Sequence, residues 1–129
     1  GFCRRTGLDG GQVADLCRRR LLIPMEEGRF DEQDVALGAL LARGLALGIA
    51  PDDLAFYPRL AEEIVDHEMA LRNRHTDKMG FAQDAGVTLE LTGIARSLRT
   101  YVIDRTMQRE LIRYQGLKPD KEKKDPPKI

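Results

Sequence analysis

Residues 6–54, TGLDGGQVADLCRRRLLIPMEEGRFDEQDVALGALLARGLALGIAPDDL, decide the fold. Local chemistry divides them into helix, turn, helix, a clipped hairpin, a long apolar helix and a short one. Thr6-Gly7-Leu8-Asp9 reads as a turn that sets Asp9 as the N-cap of a helix, since its carboxylate satisfies amide groups that a helix start leaves open. Leu22-Ile23-Pro24 is extended, because the proline ring disfavours helix at the residue before it. Glu26-Glu27-Gly28-Arg29 is a tight reversal. Phe30-Asp31-Glu32-Gln33-Asp34 then opens the next helix, with Asp31 as N-cap and an acidic first turn that suits the positive end of the helix dipole.

That helix, over residues 35–50, is apolar nearly all the way round, with Arg43 as its one charge, so it should be buried on more than one side. Leu37, Leu40, Leu41 and Leu47 are expected to fill the core. Val35, Ala39, Ala42 and Ala46 form a small-residue face that admits close approach by another helix. Gly48 should cap the C-terminus, and Pro51 should take the first position of the next helix, where its missing N–H leaves nothing unsatisfied. At about 24 Å the segment is too short to span a membrane.

The order of these parts resembles the winged helix of the MerR family of bacterial transcription regulators. The matching residues are Arg4-Arg5-Thr6-Gly7-Leu8 at the first turn, Leu21-Leu22-Ile23-Pro24 after the second helix, Arg29-Phe30 with Asp34-Val35 after the wing, and Arg43 to Ile49 before Asp52-Asp53-Leu54. The resemblance covers about the first 57 residues and implies duplex DNA as partner, a homodimer and a pseudo-palindromic site. It departs from the family where such proteins carry an Arg-Tyr-Tyr type run: here Ala14, Asp15 and Leu16 stand there. The wing is short, with residues 25–29 between Pro24 and Phe30, and Phe30 lacks the hydroxyl of the tyrosine often found at its position.

Beyond residue 57, Pro58 is expected to open a helix lasting to about Lys78. Leu60, Ile64, His67 and Leu71, at spacings of 4, 3 and 4, form a coiled-coil seam. Residues 80–86 supply a turn, and Thr88 should cap a second helix that runs to about Tyr114, so that residues 58–116 make a long antiparallel helical hairpin. The apolar face of the second helix changes sides along its length. Ile94, Leu98 and Val102 lie on one side, whereas Ile103, Met107, Leu111 and Tyr114 lie on roughly the opposite one and are the expected dimerisation surface. The tail over 117–129, charged and proline-containing, is expected to be disordered.

The fold class is therefore mainly α, a winged helix-turn-helix followed by a helical hairpin. The chain has no initiator methionine and reads as a piece of a longer protein. Net charge is zero but unevenly placed: residues 1–25 carry +3, residues 26–68 carry −8, and the balance lies beyond. A basic end followed by an acidic middle suits DNA contact through one face, and equally suits head-to-tail pairing with a second copy. Aromatic residues make up 5% of the chain and tryptophan is absent, which argues against a stacking platform for single strands. Cys3 and Cys17 lack metal-type spacing and read as small buried thiols in a reducing cytoplasm.

Two clusters carry candidate chemistry. Glu63 and His67 share a helix face and His75 follows, but the acids around them fan out and no set of three ligands converges, so no metal and no cofactor is expected. With no nucleophile-base pattern or phosphate loop either, no catalytic role is assigned. The better candidate is Arg4, Arg5, Arg18, Arg20 and Arg29 contacting phosphate, with base reading left to Gly11, Gln12 and Asp15, of which Gln12 is the adenine-type reader. Arg96, Arg99, Arg105, Arg109 and Arg113 form a second basic surface expected to meet the acidic middle of a partner copy. The leading expectation is a DNA-binding transcription regulator. The alternative is a protein-interaction and dimerisation module whose winged helix no longer reads DNA.

Overall fold

The computed structural model describes residues 1–117. It is mainly helical: α1 (Phe2–Thr6), α2 (Gly10–Arg18), α3 (Glu32–Ala46), a 3-10 turn (Pro51–Leu54), α4 (Phe56–Thr76) and α5 (Phe81–Leu117). Among the described residues no helix is long and apolar enough to cross a membrane. The chain divides into two units within α4, the first being Gly1–Met69 and the second beginning at Ala70. The tail expected to be disordered lies outside the described residues, Leu117 excepted.

In the first unit the helix starts are made as the residues dictate. Asp9 caps α2 with its Oδ1 accepting from the Gln12 amide at 2.7 Å, while Gln12 Oε1 accepts from the Asp9 amide at 2.9 Å. Asp31 and Asp34 repeat the reciprocal arrangement at α3, at 2.9 and 2.8 Å. Each pair closes two open backbone donors at once. Gly48, at φ 94°, follows α3, and the amides of Gly48 and Ile49 bond back to Leu45 and Gly44. The end of α2 uses the same double return, from Arg20 to Cys17 and from Leu21 to Leu16, but its left-handed residue is Arg20 at φ 59°.

Leu8, Leu16 and Leu22 form the buried core, with Phe2, Val13, Cys17, Leu41, Ala42 and Leu45 packed round them. This corrects the expected interior of α3. Leu41 does face inward, but Leu37, Leu40 and Leu47 are exposed, and the inward side is the one that carries Gly38, Ala42 and Leu45. The reason is how closely α1 lies on α3: a Cβ on Gly38 would stand 2.8 Å from Thr6 Cγ2 and 3.0 Å from Phe2 Cζ. A large side chain there would hold the helices apart. Phe2 also stacks on Phe30, with ring centroids 3.9 Å apart.

The expected wing is reduced to one bridged reversal, Glu26 with Arg29, around Gly28 at φ 75°; among the described residues no strand forms. Pro51 stands first in the 3-10 turn, as expected, and Asp53 accepts from the Ala50 amide at 2.9 Å. Pro58 does not open α4, which starts at Phe56; it stands in the first turn, where an amide N–H has no helical acceptor in any case.

In the second unit α4 ends at Thr76, whose hydroxyl donates to the Arg72 carbonyl at 2.9 Å, and α5 begins after a short turn. Here the structure departs from expectation, because α5 starts at Phe81, so Gly86 and Thr88 lie inside the helix. Thr88 is a clasp residue. Arg72 donates through Nη2 to Asp84 Oδ1 at 2.8 Å and through Nε to Thr88 Oγ1 at 3.1 Å, while Thr88 donates to the same Asp84 oxygen at 3.0 Å. This network ties the end of α4 to the first turns of α5. Leu60, Ile64, His67 and Leu71, expected to form a coiled-coil seam, are all exposed, and near the turn it is polar residues that do the joining.

Candidate nucleic-acid interface

The six residues expected to meet DNA all lie in the first unit, placed by α1, α2, the loop after α2 and the bridged reversal. Their side chains are not equally available. Arg4, in α1, is exposed and makes no ion pair among the described residues. Arg5 grips Glu32 of α3 with two hydrogen bonds of 2.8 Å each. Hydrogen bonding first and charge second raise the Arg5 pKa and hold the Glu32 carboxyl below its usual value.

Gln12 spends its carbonyl oxygen on the cap at Asp9, which leaves only its amide group for a base edge. Arg18 pairs with Asp15, Arg20 with Glu62 of α4, and Arg29 with Glu26 at 3.2 Å. Asp15, the residue standing where the family resemblance leads one to expect an aromatic or a base, therefore holds the guanidinium groups of Arg18 and Arg19 against a carboxylate.

Arg19 was absent from the expected site, yet it is the most engaged arginine of the group. Its Nε donates to both Asp15 oxygens at 3.1 and 3.0 Å, and its Nη1 reaches Asp52 of the 3-10 turn. The bond to Asp52, followed by that to Asp15, raises its pKa. Half of this arrangement was legible, because Asp15 and Arg19 stand four apart on one helix; the link to Asp52, 33 residues away, was not.

Cys3 is exposed rather than buried, Cys17 is half-buried, and both thiols are free. Burial first, and the nearby Asp34 charge second, push the Cys17 thiol up, which makes it less nucleophilic. Among the described residues no group of three His, Cys, Asp or Glu is placed to hold a metal ion. A cleft in the first unit is lined by apolar side chains, Leu40, Leu41, Leu45, Ile49 and Leu54 among them, with no titratable group.

The expected dimerisation residues lie on α5, where residues 101–116 are exposed without exception. Ile103, Met107, Leu111 and Tyr114 are each more than half open to solvent. Arg105 lies over the Tyr101 ring at 5.1 Å from its centroid.

Against protein-family models, curated proteins and solved structures the chain finds no match.

Proposed function

We propose that this chain is a cytoplasmic interaction module that associates with a second copy of itself through α5, with a helix-turn-helix type first unit that does not read DNA. The observation carrying this reading is the pairing of the arginines that DNA contact would need. Arg5, Arg18, Arg20 and Arg29 each face a carboxylate of the same unit. Such pairs at an exposed surface stabilise weakly, but they cancel the local field that would draw a polyanion. Residues 1–69 hold eight arginines against thirteen acids, a net of −5, so the unit as a whole repels phosphate at long range.

The state of α5 supports self-association. A helical segment of sixteen residues with no covering surface is marginal in water, and helices in proteins owe their stability to packing of an apolar face. Ile103, Met107, Leu111 and Tyr114 supply that face.

A second reading keeps the chain as a DNA-binding transcription regulator. Arg4 favours it, and so does the exposure of Arg18 and Arg29, whose side chains can exchange carboxylate for phosphate. Titration of a labelled duplex at about 50 mM salt separates the two. No binding there, in a protein that sediments as a dimer, supports the interaction module. Binding that weakens steeply with salt, with a slope flattened by Arg18→Ala plus Arg29→Ala, supports the regulator.

A further inference from the structure

We infer that α3 carries a second self-association surface, on which two copies pair antiparallel and each seats its Leu40 in the pocket beside Gly44 of the other. The surface lies wholly within the first unit and does not depend on the α5 contact.

A pocket of about 160 Å³ opens beside Gly44, walled by Leu40, Leu41, Leu45, Ile49 and Leu54 together with the buried Leu16. No lining side chain can hydrogen-bond, so the pocket takes an uncharged apolar group, and its volume suits one branched side chain or a single ring. Gly44 keeps it open. Glycine inside a helix is less stable than alanine, and no close approach demands it here, because a Cβ at position 44 would stand at an ordinary 3.7 Å from Ile49 Cδ1. The mouth is bordered by exposed apolar side chains. Leu37, Leu40, Gly44 and Leu47 recur along one side of α3, the leucines being 44, 59 and 83% open to solvent. With Ile49 they make a patch on the order of 400 Å², the size at which bare apolar surface commonly meets a partner.

Shape selects the occupant. The protrusion, Leu40, and the hole at Gly44 stand four residues apart on the same stripe. When α3 lies antiparallel to α3 of a second copy, with a twofold axis at residue 42, each Leu40 faces the other copy's Gly44 and each Leu37 faces the other's Leu47. One patch thus serves both sides, as a contact between identical surfaces requires. Charge recruits nothing else to it: Arg43, the one charged residue of 35–50, lies at the flank, exposed and without an ion pair among the described residues. Two such patches bury roughly 800 Å², below the about 1,200 Å² of stable complexes, so the contact is weak and reversible.

Cysteine trapping of the full chain suits a weak contact. In chains whose exposed Cys3 is replaced by serine, Leu40→Cys is mixed with an equal amount of Gly44→Cys and oxidised. Leu40 is exposed and position 44 has room for a Cβ, and circular dichroism verifies each fold. A disulfide needs Cα atoms within about 7 Å, which the pairing sets for 40 against 44, whereas each residue is offset by about 6 Å along the axis from its own counterpart. The mixed dimer should therefore exceed either same-chain dimer at least about tenfold, well beyond the statistical excess of random collision. The twofold brings both Arg43 side chains along one flank, so Arg43→Gln and added salt should each hasten trapping. The preference should persist when both chains also carry Leu111→Asp. A mixed dimer at its statistical share, no covalent dimer at all, or a preference abolished by Leu111→Asp overturns the inference. The α5 contact fails by a different measure, an unchanged sedimenting mass in Leu111→Asp, so the two failures are told apart.

Discussion

Gly38 of α3 runs beneath Thr6 of α1 so closely that a Cβ at position 38 would lie 2.8 Å from Thr6 Cγ2. Thr6 cannot retreat easily, since its hydroxyl donates to the Phe2 carbonyl at 2.9 Å and accepts from the Leu8 amide at 3.2 Å. Gly38→Ala should therefore destabilise the first unit by about 1–3 kcal/mol, the usual range for overpacking, despite the better helix propensity of alanine. Urea unfolding measures it. A variant as stable as the wild type would mean that α1 and α3 are not in direct contact.

Arg20 stands at φ 59°, where glycine is the ordinary choice. Arg20→Gly removes a Cβ penalty of about 1–2 kcal/mol and adds about 0.5–1 kcal/mol of unfolded-state freedom. The exposed pair with Glu62 is lost at little expense. A small net gain in stability is expected, seen as a higher urea midpoint at unchanged slope; a clear loss would show that Arg20 contributes through its side chain.

Arg18 and Arg19 are neighbours that should respond differently. Arg18 binds only Asp15 of its own helix, whereas Arg19 also ties α2 to the 3-10 turn through Asp52. Arg19→Ala should lower the melting temperature more than Arg18→Ala, and Asp52→Asn should reproduce part of the Arg19 effect. Equal melting temperatures for the two alanine variants would contradict the tie.

Acid should loosen the α1 to α3 link. The Glu32 carboxyl is held below its unfolded value by Arg5, so its contribution is complete above the ordinary carboxylate pKa of about 4 and disappears as pH falls through the lower folded value. The stability difference between wild type and Glu32→Gln should accordingly shrink toward zero as pH is taken from neutral to strongly acid. A difference that persisted in acid would assign the effect to packing.

Leu111 is half exposed on a bare stretch of helix. Leu111→Asp should shift sedimentation toward the monomer and lower the helical signal as the end of α5 frays, since an isolated segment of this length is marginal. Unchanged mass in this variant would place the subunit contact elsewhere.

Some features needed nothing beyond neighbours in the chain. Asp9 and Asp31 as caps, Gly48 as the terminator of α3, Pro51 at a first position and the change of apolar side along α5 all depend on residues within one or two turns of each other, and local sterics with hydrogen bonding settle them. Helix capping alone did not place the start of α5: Thr88 looks like a cap until Arg72 is seen to engage it from across the turn. In the same way, the inward face of α3 could not be chosen from a segment apolar on every side. Close approach of α1 over Gly38 selected it. The arginines show the division most plainly: composition and spacing put a cationic cluster at the start of the chain, and Arg18 and Arg29 find carboxylates three positions away, but whether Arg5 and Arg20 face solvent or carboxylates depends on Glu32 and Glu62, 27 and 42 positions away. Short-range chemistry is written in consecutive residues, whereas the pairing of distant charges exists only after packing has brought them within reach.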